Sequence, residues 1–355
     1  MGSLRLGLLG FGTVVRGIHL ETLRRLRGVT VAAVADADPR ARAEAERLLP
    51  GAAVRSSEAE LLAEPDLDAV MVCLPAGEQA AAATAVLGSG RHVYVEKPIA
   101  TNVADARAVV EAWRSAGTVG MAGLNYRHHP HYRRARELIR SGAVGELVGA
   151  RSVFSLPGAV GQPEWKRSRD AGGGVLLDLG SHHADLVHFL LGEPVREVFA
   201  EVRSQRAEDD SATVELRLGS GLLVQSLFSL AAIDEERFEV YGTEGKLTVD
   251  RCYALDVEIR PATRERDRLR RLGRGLRSLR HASFMVTRTR APACEPSYPL
   301  ALERFVAAVR GEAAAEPDLL DGYRSLAVVA AAMESARTGA PVAPAPVPEL
   351  EPAPA

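Results

Sequence analysis

Asp178, His182 and Asp185 stand four and three residues apart, so a helical reading puts all three on one face. Two carboxylates flanking an imidazole are an expensive set to bury for structure alone. They suit a site in which His182 moves a proton near neutral pH while the carboxylates orient it or a substrate. His183 points about 100° away on a helix of ordinary pitch and is secondary; His188 reads as a partly buried histidine satisfied by its surroundings. The three glycines just ahead, Gly172 to Gly174, let backbone approach a ligand closely. A second candidate is Lys97, in the run Arg91 to Pro98 that closes on Glu96-Lys97-Pro98. Its ammonium can donate a hydrogen bond to a hydroxyl or carbonyl oxygen, and Pro98 stiffens the turn that aims it. Read in isolation, Lys97 is better taken as a surface lysine paired with Glu96.

Both candidates need a scaffold, and the first third of the chain supplies one. Short β-rich runs alternate with helical patterns: Leu4 to Leu9, Val29 to Asp36, Ala69 to Leu74, His92 to Glu96 and Thr118 to Leu124 are strands, with helices between them. Continuous apolar strands separated by helices predict a doubly wound parallel α/β sheet covered on both faces. Ligands bind at the carboxyl edge of such sheets, where Lys97 falls. Ser57 and Glu60 have the spacing of a capping box. After about Asn125 the pattern changes to runs of period two, Val195 to Ser204, Ala212 to Leu218, Leu222 to Leu230, Arg237 to Gly242 and Lys246 to Val249, which predict an open, mostly antiparallel sheet in an α+β domain. The expected division is 1–124, 125–337, and a Pro/Ala-rich disordered tail over 338–355.

Gly10-Phe11-Gly12 follows the first strand and opens a helix, with Thr13 and Val14 next. Gly10 permits a tight turn, and Gly12 lets backbone N–H groups approach a pyrophosphate at the positive end of the helix dipole. By itself this loop is as consistent with a plain strand-to-helix turn. Asp36, ending the second strand, shifts the balance, because a carboxylate there can accept hydrogen bonds from both hydroxyls of an adenosine ribose. A 2′-phosphate would meet repulsion of about 1–4 kcal/mol, so NAD is expected over NADP. The competing role for Asp36 is a helix cap before Pro39.

The whole chain excludes several classes. At 355 residues with 46% apolar composition it can fill two cores. Its formal charge of -2 provides no field for nucleic acid. No apolar run approaches the roughly 20 residues that span a bilayer, and Leu4 to Gly12 reads as strand and turn instead of a leader, so a cytoplasmic protein is expected. Cys73, Cys252 and Cys294 lack paired spacing, which argues against disulfides and a cysteine metal site, and no metal is expected. From Arg264 to Arg290 leucines keep helical spacing among arginines; a solvated amphipathic helix and a flap for an anionic ligand are both open readings.

Taken in order, the Gly10-Phe11-Gly12 loop, Asp36, Glu96-Lys97-Pro98, Arg127 with Pro130, and Gly172-Gly173-Gly174 ahead of Asp178 to Asp185 resemble the Gfo/Idh/MocA family of glucose-fructose oxidoreductase and inositol dehydrogenase relatives. The resemblance covers nearly the whole chain before the tail. It implies an N-terminal Rossmann domain, a second domain whose open sheet commonly makes subunit contacts in homodimers or homotetramers, and hydride transfer between a ring hydroxyl of a sugar or cyclitol and the nicotinamide. It further implies cofactor contacts from Gly10, Phe11, Gly12, Thr13, Val14, Asp36, Leu74, Pro75, Glu96 and Lys97. Lys97, His182 and Asp178 match the family's motif lysine, general acid or base, and orienting carboxylate. Arg127, Trp165, Arg167 and Asp185 are the expected substrate contacts, with Lys166 beside them. Two positions depart from the pattern: Gln79 stands where a histidine is common, and Val15 replaces a small residue. Two rivals share the scaffold, an enzyme that retains NAD and cleaves glycosides by transient oxidation, and a non-catalytic protein that senses NAD or a sugar.

Overall fold

The computed structural model describes residues 3–158, 164–169, 171–263, 288–289, 291 and 295–348. Apart from Arg288 and Thr289, the arginine-rich segment from Arg264 to Arg290 lies outside the described residues, as do Cys294 and the end of the tail beyond 348. Contacts divide the chain into two units, residues 1–125 with 291–326 and 347–355, and residues 126–290 with 327–346.

The first unit is built on a parallel sheet of six strands in the order β3-β2-β1-β4-β5-β6. These are β1 (Leu4–Leu9), β2 (Val29–Ala35), β3 (Ala53–Arg55), β4 (Ala69–Val72), β5 (His92–Val95) and β6 (Gly120–Ala122). The order reverses at β1, as in dinucleotide-binding folds. Every residue of β4 is enclosed, so its sequence shows no alternation; each fully buried valine there stabilises the fold by roughly 1.5–3 kcal/mol. The crossovers carry α1 (Leu20–Arg25), α2 (Pro39–Leu48), α3 (Glu58–Leu62), α4 (Ala76–Gly88) and α5 (Val103–Ala116). Caps set their starts: Asp38, not Asp36, caps α2 by accepting from the Arg40 N–H. Ser57 accepts from the Glu60 N–H, while the Glu60 carboxylate reaches back to the Ser56 N–H and hydroxyl, one residue beyond the expected reciprocal partner.

The second unit holds a seven-stranded sheet in the order β13-β12-β11-β7-β10-β9-β8. Its members are β7 (Leu147–Ser155), β8 (Val195–Arg203), β9 (Ser211–Leu218), β10 (Leu223–Ser229), β11 (Glu235–Gly242), β12 (Gly245–Asp250) and β13 (Glu258–Pro261). All neighbours are antiparallel except β7 with β10. α6 (Pro130–Arg140) precedes β7, and α7 (Ser181–Leu191) lies between β7 and β8. Val198, Ala200, Val224 and Phe228 point inward and are buried, while their neighbours Phe199, Leu223 and Leu227 are exposed.

The ends of the chain depart from the expected division. α8 (Ser297–Val309) belongs with the first unit, where Leu302 and Phe305 join the core of β1, β4 and β5, and Phe305 packs edge-on to Tyr94. α9 (Leu319–Thr338) follows. The stretch expected to be tail is bonded at Val342, which exchanges backbone hydrogen bonds of 2.8 Å with Val198.

Candidate active site

The glycine loop is fixed by backbone geometry. Gly10 has φ +91°, and a Cβ there would lie 2.5 Å from the Cys73 carbonyl oxygen, so only glycine fits between β1 and β4. Gly12 is the opposite case: a Cβ would meet nothing within 4 Å. That open volume lies over the start of the helical turn at Thr13 and Val14, which is where an anion would sit. Val15 is fully buried and begins a π-turn, Val15–His19, that runs into α1. Asp36 stands against this loop: one carboxylate oxygen accepts the Phe11 N–H at 2.7 Å and the other the Asp38 N–H at 2.8 Å. Each oxygen retains lone-pair capacity for a ribose hydroxyl. The loop and its acidic partner therefore fit the adenosine and pyrophosphate of NAD. Leu74 borders Gly10, and Pro75 immediately precedes α4. Cys73 is a packed residue, its thiol pushed well above its ordinary pKa by burial and by the Glu96 charge.

At the carboxyl end of β5 the turn bearing Lys97 is held from two sides. The Lys97 N–H donates to Glu96 Oε2 at 3.2 Å, and the Pro98 carbonyl accepts from Gln79 Nε2 at 3.0 Å. Gln79 thus braces the turn from the position that departs from the common histidine. Beneath it the sequence hides a pair that pattern reasoning missed: His19 Nε2 lies 2.7 Å from Glu96 Oε1, both residues buried. Two buried atoms nearby, His19 Nδ1 and Tyr94 Oη, have no hydrogen-bond partner, an arrangement that costs about 1–3 kcal/mol per group.

In the second unit the segment around His182 is not one regular helix. Leu176–Gly180 is a π-turn that leads into α7, so Asp178 and His182 belong to different helical forms and their spacing does not define a single straight face. Each of the three residues is engaged by a different neighbour. Asp178 accepts from Lys166 Nζ through both oxygens at 3.0 Å. Asp185 is buried and bidentate with Arg127, whose Nε lies 2.9 Å from both oxygens and whose Nη2 lies 2.5 Å from Oδ1. Two expected substrate contacts are thus each other's partners. His182 stacks on Tyr126, ring centroids 4.1 Å apart and planes 16° apart. Arg251 lies over the same Tyr126 ring at 4.7 Å and donates to Glu236, which also accepts the Tyr132 hydroxyl. Neither Tyr126 nor Arg251 carries a motif signal; only the fold brings them to the histidine.

His183 has a different environment. Its Nδ1 bonds Ser152 Oγ at 2.9 Å between Phe154, Phe228 and Phe238. Burial, then the nearby Arg251 charge, pushes its pKa down to about 3, so the ring is neutral. His188 bonds the Glu193 carbonyl. The glycines ahead of the site serve a loop: Gly172 and Gly174 have φ +84° and +95°, and Arg169 forks onto Asp209 with two 2.6 Å bonds. The same loop carries Lys166 and the exposed Arg167; Trp165 lies in the 3-10 turn Glu164–Arg167, its side chain outside the described residues. Among the described residues no cluster of three or more His, Cys, Asp or Glu could hold a metal ion, and no helix is long and apolar enough to cross a membrane.

Comparison with known proteins agrees with this construction. Residues 4–124 match the oxidoreductase family model with an NAD-binding Rossmann fold, and residues 132–248 match the GFO/IDH/MocA C-terminal domain. A 1,5-anhydro-D-fructose reductase of Ensifer adhaerens and an inositol 2-dehydrogenase of Rhizobium meliloti are each 30% identical over 344 residues, covering 94% of this chain and 97% of each relative. The crystal structure of GenD2 from gentamicin A biosynthesis, in complex with NAD, superposes with a TM-score of 0.80 at 26% identity, covering 97% of both chains. The cradle at Gly10 and Gly12, its partner Asp36 and these likenesses lead to one conclusion: the chain belongs to the Gfo/Idh/MocA family of NAD-binding oxidoreductases.

Proposed function

We propose that this oxidoreductase interconverts a ring hydroxyl and the corresponding ketone of a sugar or cyclitol. The observation that carries the reading is likeness over 94% of the chain to relatives named for an anhydrosugar reductase and an inositol dehydrogenase. Bound NAD supplies the hydride acceptor at its nicotinamide. Gly10, Gly12, Thr13 and Val14 hold its pyrophosphate, Asp36 its adenosine ribose, and Leu74, Pro75 and Glu96 line its path. His182, its ring held flat by Tyr126, takes the hydroxyl proton as base and returns it as acid in reverse. Lys97 donates to the oxygen on which negative charge develops. Asp178 orients the imidazole or the substrate, while Arg127 and Asp185 shape the site as a locked pair and Arg167 with Trp165 meets the substrate's outer hydroxyls.

H182A and K97M each lower kcat roughly 10²- to 10⁴-fold, measured by NADH absorbance against a panel of cyclitols, hexoses and aryl glycosides, with NAD affinity retained. Wild-type turnover in both variants rejects the assignment. Glycoside cleavage without NADH accumulation identifies the NAD-retaining alternative, and binding without turnover of any kind identifies a sensor. Asp36 repels a 2′-phosphate by about 1–4 kcal/mol, so NADP binds more weakly than NAD in a direct titration and D36S narrows the gap. The exposed Phe199, Leu223 and Leu227 on the outward face of the second sheet support a homodimer or homotetramer. Light scattering on L227D, expected to reduce the assembly, tests it.

A further inference from the structure

His19 has no part in the reading above, yet it bonds the carboxylate of Glu96, which in turn holds the peptide that carries Lys97. His19 is fully enclosed at the end of the π-turn that follows the glycine loop. Its ring is set edge-on to Tyr94 and Tyr298, with centroids 6.2 and 5.5 Å away. Glu96 as a carboxylate can only accept, so the His19 nitrogen facing it, Nε2, carries the proton. The second Glu96 oxygen accepts the Lys97 backbone N–H at 3.2 Å. Gly123, just after β6, makes room for this carboxylate: a Cβ there would come within 3.0 Å of Glu96 Oε2 and of its Cα. An apolar residue at position 19 would join Leu20 and Leu23 in the core and leave no orphaned ring nitrogen. The contribution particular to histidine is therefore its N–H on Glu96.

We propose that His19 is a positioning residue for Lys97, acting through Glu96; the inference rests on the reading of Lys97 as the ammonium that faces the reacting oxygen. Clamped by the imidazole at one oxygen, the carboxylate keeps its other oxygen on the Lys97 peptide. That fixes the direction in which the lysine side chain leaves β5. The same clamp ties the helix that follows the cofactor's pyrophosphate cradle to the edge where chemistry takes place.

Three variants test it. H19L removes the donor and keeps an apolar filling, H19Q keeps an N–H near the position of Nε2, and G123A crowds the carboxylate from the opposite side with His19 intact. Backbone hydrogen exchange at the peptide containing Lys97 is the readout independent of turnover. In H19L that amide is expected to exchange faster, and kcat to fall roughly 10- to 100-fold, the cost of a misplaced group. NAD affinity, followed by protein fluorescence, is expected to change by no more than about threefold. H19Q regains most of both losses, and G123A reproduces them should H19L fail to fold. Unchanged exchange and kcat in H19L and G123A overturn the proposal, as does an H19Q that is folded but no better than H19L. K97M separates the two ideas: full turnover in K97M overturns the role of Lys97 and this one with it, whereas an inactive K97M beside an unaltered H19L overturns this one alone.

Discussion

The carboxylates of Asp185 and Asp178 lie on either side of His182, and the two ion pairs they form are built differently. Asp185 meets the planar fork of Arg127 with side chains only 2% and 8% exposed, and the guanidinium also lies over the Phe189 ring. Asp178 meets the ammonium of Lys166, a point charge on a flexible stem, with side chains 16% and 29% exposed. A fork matched to a carboxylate in a dry setting fixes geometry, whereas a lysine at a wetter rim holds its partner without locking it. Carboxylates of similar appearance in the sequence thus divide into a staple between the 3-10 turn Asn125–His128 and α7 and a more solvated group whose cation is held less firmly.

The contrast breaks most visibly at the buried pair. D185N leaves the Arg127 charge enclosed without its counter-ion, which costs about 3–5 kcal/mol; a urea titration should show the midpoint fall by that equivalent. Adding R127M to D185N is expected to recover much of the loss, because an apolar side chain can pack on Phe189. Stability within about 1 kcal/mol of wild type in D185N would make the pair no staple at all.

The adjacent histidines sharpen the same contrast with a smaller effect. His183 has a folded pKa of about 3 against an ordinary 6.5, so the unfolded chain takes up a proton first as pH falls. Its contribution to stability is complete above about 6.5 and is lost progressively toward about 3. The slope from this one group is at most ~1.4 kcal/mol per pH unit. Unfolding at pH 7, 6 and 5 measures it, and H183Q, which can keep a hydrogen bond to Ser152, should flatten the profile over that window. An unchanged slope in H183Q assigns the acid sensitivity to other groups.

What could be read from residues alone follows the range over which each constraint acts. Gly10, the buried strands and the position of Asp36 at the end of β2 are set by local backbone demands, and the sequence displays them. β7 escaped notice because Ser152 occupies an inward position between Ala150 and Phe154, where an apolar residue would have shown the alternation; Ser152 is needed there to bond His183 and Ser226. Partners across the fold leave no local trace: Glu96 is 77 residues from His19, and Asp185 is 58 from Arg127. Spacing places three side chains at one end of a helix but cannot say which cation answers which carboxylate. Nor does it show the π-turn that separates Asp178 from the regular turns of α7.

Asp178 gives the smallest stability effect and the finest test of the comparison. A partly solvated lysine–carboxylate pair contributes about 0–1 kcal/mol, so D178N should melt close to wild type and lose little more in high salt. If its carboxylate orients His182 or the substrate, kcat falls roughly tenfold or more while that stability is kept. K166M supplies the complementary reading, because it removes the cation and leaves the carboxylate: stability again changes little, and any change in KM reports whether Lys166 yields Asp178 to the substrate. A D178N that unfolds as readily as D185N would put both pairs in one structural class, and the orientation of His182 would then rest on neighbours other than Asp178, Tyr126 among them.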